Sequence, residues 1–110
     1  MRFLTRQEEL ILLAVFRLKD NAYLVTVREH LIEYTGKEWT VGALYVPLDR
    51  LRREGFLDTS IGEATAVRGR NAIKYYHLTK KGSKALADIK KVHDVMWENY
   101  DENTVAAKNE

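Results

Sequence analysis

Arg68 and Arg70 flank Gly69 in the segment VRGRN, with Lys74 four residues further on. Arg50 and Arg53 lie about one helical turn apart in LDRLRREG. Guanidinium groups so spaced suit one kind of chemistry, the binding of phosphates and guanine edges. Each offers a fork of N–H donors and a charge that does not titrate near neutral pH. A glycine between two arginines further suits backbone contact with phosphates, or insertion into a minor groove. The plain alternatives are a solvated charged turn and, for Arg53, an i,i+4 pair with Asp49. Catalysis has no comparable support. His30, His77 and His93 are far apart in the chain, and the His30–Glu33 spacing lacks a third metal ligand. No serine sits in a nucleophile elbow, and no glycine-rich phosphate loop opens a helix. Cysteine is absent, which removes thiolate metal sites and disulfides. The residues therefore predict a binding protein with no catalytic, metal or cofactor site.

The charge distribution agrees. Over Thr40–Gly82 there are eight Lys and Arg residues against four Asp and Glu, although the whole chain is only +2. A basic middle between acidic flanks is the asymmetry a polyanion-binding surface leaves. The 110 residues are 45% hydrophobic and 31% charged, the balance of one globular domain with a modest core. No apolar run is long enough for a membrane span, and the N-terminus lacks the pattern of a signal peptide. Together with the lack of cysteine, this fits a cytoplasmic setting.

Three helix starts position these groups. Thr5 with Glu8 makes a capping box, Thr26 with Glu29 repeats it, and Thr40 is an N-cap without the box. Helices are predicted over Arg6–Lys19, Val27–Thr35 and Val41–Glu54, with Gly36 and Gly55 as left-handed stops. The short NAYLV stretch between the first two reads as a small edge strand. Beyond Gly55 the period alternates. FLDTSI and IKYYHL are strands separated by Gly62–Ala72, and Thr79 caps a last helix to about Tyr100. The fold class is α+β and mostly α: a winged helix–turn–helix with a three-helix core, a two-stranded wing and a C-terminal dimerisation helix. Residues 1–79 form the winged-helix domain, 80–100 the dimerisation helix, and 101–110 a disordered tail.

In the third helix, Leu44, Leu48 and Leu51 face inward. The outward face then carries Gly42, Ala43 and Val46, small enough for close approach to a groove floor, followed by Arg50 and Arg53. Tyr45 flanks the buried stripe, and Thr40 with the first-turn amides suits a phosphate. The chain's single proline, Pro47, falls inside this helix, where it removes one backbone bond and crowds Ala43. A kink or widened turn is predicted there.

LILLAVF in the first helix is apolar on all sides and calls for cover from outside the domain. Leu86, Ile89, His93, Met96 and Tyr100 recur at coiled-coil spacing in the last helix, and Trp97 widens the stripe. A homodimer follows, with Leu10 and Leu13 meeting the last helix of a partner. The alternative is a last helix folded back on its own domain.

The segments GALYVPLDRLRREGFL and GEATAVRGRNAIKYYHLTKKGSKAL resemble the PadR-like transcriptional regulators, over about Leu4 to Met96. The resemblance implies a dimer that binds inverted-repeat operator DNA, usually to repress. It places DNA contact on Tyr45, its neighbours and the wing arginines. It also implies a small aromatic effector at the dimer seam, with Met96 and Trp97 as the local candidates. Two departures stand out. Val46 occupies the place where family members often have proline, and Asn71, Ala72 and Ile73 interrupt the basic run of the wing. A winged-helix protein-interaction module without specific DNA binding is the alternative function.

Overall fold

The computed structural model describes residues 2–62 and 72–105. The elements run α1 (Arg6–Leu18), a 3-10 turn (Lys19–Asn21), α2 (Leu24–Thr35), α3 (Val41–Arg53), β1 (Leu57–Ile61), β2 (Lys74–Leu78), α4 (Lys80–Met96) and α5 (Glu102–Val105). The segment 63–71, which holds Arg68, Arg70 and Asn71, lies outside the described residues, as does 106–110.

The capping box of α1 forms as its sequence predicts. Thr5 Oγ1 accepts from the Glu8 amide at 3.1 Å, and Glu8 Oε1 accepts from the Thr5 amide at 2.8 Å. The second box does not. α2 starts three residues early, so Thr26 sits inside its first turn, and its Oγ1 accepts from the Tyr23 amide at 3.0 Å. The hydroxyl is short enough to reach back to the true cap, and local geometry selects that partner over Glu29. Nor does NAYLV form a strand. Its link to the hairpin is one backbone bond, from the Tyr76 N–H to the Ala22 carbonyl at 2.8 Å.

α3 begins where Thr40 Oγ1 accepts from the Ala43 amide at 3.1 Å. It then runs as α-helix without interruption through Pro47, so the predicted widened turn is absent. Ala43 is exposed, and water can take the carbonyl bond that Pro47 cannot fill. Leu44, Leu48 and Leu51 are fully buried and hold the helix on both sides of the proline. Gly55 stops α3 at φ 87°, and its carbonyl accepts from the Thr79 hydroxyl at 2.6 Å.

β1 and β2 pair antiparallel, with Leu57 opposite Leu78, Thr59 opposite Tyr76 and Ile61 opposite Lys74. Leu57 and Tyr76 are buried on the inner face, so the predicted alternation is correct there. The core lies where α1, α2, α3 and this hairpin meet, around Ile11, Leu12, Val27, Leu31, Trp39 and the α3 leucines. α1 thus buries Ile11, Leu12, Ala14 and Val15 within its own domain and leaves Leu10 and Leu13 half-buried and Phe16 exposed.

α4 behaves differently. Its first turn is wedged against the end of α3: a Cβ at Gly82 would lie 2.3 Å from the Phe56 carbonyl oxygen. Beyond Leu86 it leaves the core. The radius of gyration is 17.2 Å, against roughly 13 Å for a compact chain of this length. The longest dimension is 62 Å. α4 ends at Met96 rather than Tyr100, and within the expected tail Glu102–Val105 makes a helical turn.

Candidate nucleic-acid interface

The turn before α3 is fixed from two sides. Arg28 Nε donates to the Trp39 carbonyl, and the buried Trp39 indole donates to Thr35 Oγ1 at 3.1 Å. Thr40 then caps the helix, and its hydroxyl takes the Ala43 amide. Gly42, Ala43 and Val46 are exposed, as are Tyr45 and Val41. A Cβ at Gly42 would meet nothing within 4 Å. The outward face of α3 is thus open along its first turns, as its small residues predict.

Among the described residues, the hairpin brings Lys74 to this face. Lys74 lies on the inner side of β2, and its Nζ stands 5.9 Å from the centre of the Tyr45 ring. This cation–π contact ties the base of the wing to α3. Tyr76, on the same side, is buried, which pushes its phenol pKa up.

The arginines are not free side chains. Asp49 holds two of them: Arg52 at 2.9 Å and Arg53 at 3.1 Å. These two guanidiniums, Arg52 foremost, keep the Asp49 carboxyl below its ordinary pKa. The Asp49–Arg53 pair foreseen as the plain alternative is therefore real. Arg50 turns the other way, with a terminal nitrogen 3.6 Å from Glu8 Oε2. Glu8 is buried at the start of α1 and takes a two-pronged bond from Arg2, at 2.8 and 3.1 Å. Arg2 also pairs with Glu54 beyond the end of α3. The Arg2 donors hold the Glu8 carboxyl below its usual range, against burial, which acts the other way.

In the sequence, Glu8 shows only a capping role, and Arg2 and Glu54 show none. Acidic residues 46 positions apart give no periodic signal, and only the tertiary fold brings α1 against the end of α3. Arg68 and Arg70 fall in the segment outside the described residues.

The other predicted contacts lie on α1 and α4. Leu10 packs partly against its own core. Leu13, Phe16, Leu86 and His93 line a groove of about 420 Å³ between α1 and α4. A second cleft of about 220 Å³ lies between Phe3 and Leu4 on one side and Ile89, Met96 and Trp97 on the other. Val92, Val95, Met96, Trp97 and Tyr100 are each more than half exposed. Val95 was not in the predicted stripe. His93 and Tyr100 both pack on the Trp97 ring, at 5.8 and 5.0 Å.

His30 Nε2 accepts from Arg17 at 3.1 Å and its ring packs on Tyr34. That occupies one of its two ring nitrogens. Among the described residues no cluster of metal-ligating side chains occurs, and no helix is long and apolar enough to cross a membrane.

The family model of the transcriptional regulator PadR-like family matches residues 12–88, which span α1 to the middle of α4. The chain belongs to the PadR-like family. A PadR-like transcription factor from Bacteroides fragilis is 26% identical, with a TM-score of 0.72 over 84% of each chain. RosR from H. salinarum is 24% identical, with a TM-score of 0.70 over 97% of this chain and 89% of that one. A PadR-like transcriptional regulator from Bacillus cereus is 22% identical, with a TM-score of 0.68 over 82% of each chain. No curated protein matches. This PadR-like chain is a DNA-binding transcriptional regulator of winged-helix fold.

Proposed function

We propose that the protein is a cytoplasmic, dimeric repressor that binds an inverted-repeat operator in double-stranded DNA. α3 enters the major groove by its bare leading turns, Gly42, Ala43 and Val46, with Thr40 and Tyr45 at the edges. Arg50 and Arg53 reach phosphates or guanines, and Arg68, Arg70 and Lys74 of the wing hold the neighbouring backbone. Two such helices in a twofold dimer require half-sites about 34 Å apart, or a multiple of that. The dimer forms through Leu86, Ile89, His93, Met96, Trp97 and Tyr100 of one chain and the Leu10–Leu13 side of α1 in the other. A small aromatic effector lodged against Met96 and Trp97 would release the operator.

One observation supports this reading above the rest: the open, small-residue face of α3 stands beside Lys74, the first cation of the wing strand. Selection of bound fragments from a random DNA pool, followed by sizing of the complex, tests it. One enriched inverted repeat bound by two chains is the expected result. The exposed Val41, Tyr45 and Val46 favour a second reading, in which α3 docks on a protein. That reading gains if no sequence is enriched. The effector is tested by quenching of Trp97 fluorescence in a Trp39→Phe background.

A further inference from the structure

We infer that Arg2 is a positioning residue for Arg50, acting through the buried Glu8 carboxylate that both cations approach. The inference rests on the reading that α3 binds DNA. Glu8 is a buried carboxylate, with only 3% of its side chain exposed. Such a charge is costly unless cations and donors surround it. Its Oε1 accepts from the Thr5 amide and from Arg2, and its Oε2 accepts from the other prong of Arg2. Arg50 stands at 3.6 Å from Oε2, inside ion-pair range and beyond hydrogen-bond reach. Two cations thus share one carboxylate, but only Arg2 is hydrogen-bonded to it.

The difference in attachment has a direction. Arg2 is anchored three ways: by Glu8, by Glu54 and by the Phe56 ring 5.7 Å from its guanidinium carbon. Arg50 lies on the outer part of α3 with 48% of its side chain exposed, beside Gly42, Ala43, Val46 and Pro47 around one shallow cleft. When a phosphate draws Arg50 away, Arg2 still neutralises Glu8. Without Arg2, Arg50 is the one other cation paired with Glu8 among the described residues. It would then close onto the carboxylate and leave the DNA-facing side. Arg2 therefore keeps Arg50 available to DNA without touching DNA itself.

A double-mutant cycle on the full chain, read as operator affinity and salt slope, tests this. Arg50→Ala is expected to lower the slope by about one unit. Arg2→Ala should lower it by a similar amount in the wild-type background and by little when Arg50 is already alanine. Glu8→Gln combined with Arg2→Ala should restore the slope, because no charge remains to capture Arg50. A clamp that merely stabilised the fold would not be rescued in this way. If Arg2→Ala melts below the assay temperature, Arg2→Lys keeps the cation and loses the fork. Its smaller loss should likewise vanish in the Arg50→Ala background. Equal losses from the Arg2 change in both backgrounds, or no loss in either, overturn the inference. An unchanged slope for Arg50→Ala likewise overturns the inference, whereas failure of the wild-type chain to bind any DNA overturns the DNA-binding reading of α3.

Discussion

α1 and α4 both carry more apolar side chains than a single helix stripe needs, yet they end in opposite situations. α1 buries Ile11, Leu12, Ala14 and Val15 within its own domain. Of the residues in α4 only Gly82 is buried, and the helix leaves Val92, Val95 and Met96 exposed toward its end. The cause is position. α1 is enclosed by α2, α3, β2 and the root of α4, whereas α4 leaves the core after its first turns. One apolar helix is covered by its own chain except along Leu10, Leu13 and Phe16, while the other leaves its far half uncovered.

The largest expected effect is in the enclosed helix. Leu12→Ala should lower folding stability by about 2–5 kcal/mol, measured by denaturant titration at fixed protein concentration. A loss well below that range would mean that α1 is less enclosed than its burial indicates. On the protruding helix, Trp97→Ala should weaken self-association by about 2 kcal/mol, roughly thirtyfold, in sedimentation equilibrium. Its far-ultraviolet circular dichroism should stay unchanged. Wild-type protein that sediments as a monomer at all concentrations breaks the comparison outright.

At the helix starts the contrast should disappear. Thr5 caps α1 and Thr79 caps α4, each accepting from an amide three residues on. Thr5→Ala and Thr79→Ala should each lose about 1 kcal/mol, with serine restoring most of it in thermal unfolding. A much smaller loss at Thr79 would mean that the root of α4 is not fixed.

The smallest effect is a response to acid. The folded-state pKa of Glu8 is depressed, so its contribution is complete above the unfolded value of about 4.3. It is lost as pH falls through the lower folded value. Glu8→Gln should flatten the stability profile in that window. The exposed α4 pairs Lys84–Asp88 and Lys90–Asp94 are each worth only about 0.3–0.5 kcal/mol. Asp88→Asn should change stability at neutral pH by no more than that.

The leucines of α3, the cap at Thr40, the left-handed glycines and the alternation of β2 were legible in the sequence. Each is set within a few residues, by a helical or strand period or by a side chain that reaches its own backbone. The start of α2 was misjudged because Thr26 can cap or back-bond from either of two positions, and the sequence favours neither. The widened turn expected at Pro47 was misjudged for a related reason. A proline's local cost is plain in the sequence, but Leu48 and Leu51 override it through core packing.

By itself, then, the sequence determined the order of the four main helices and the two wing strands, the inward face of α3 and the basic middle of the chain, since all three depend on short-range periodicity and composition. Tertiary structure alone decided that α1 is enclosed, that α4 stands away from the core, and that Glu8 shares its charge between Arg2 and Arg50. Those outcomes depend on which distant surfaces meet. A buried carboxylate finds its cations by proximity in space, 42 residues along the chain in the case of Arg50.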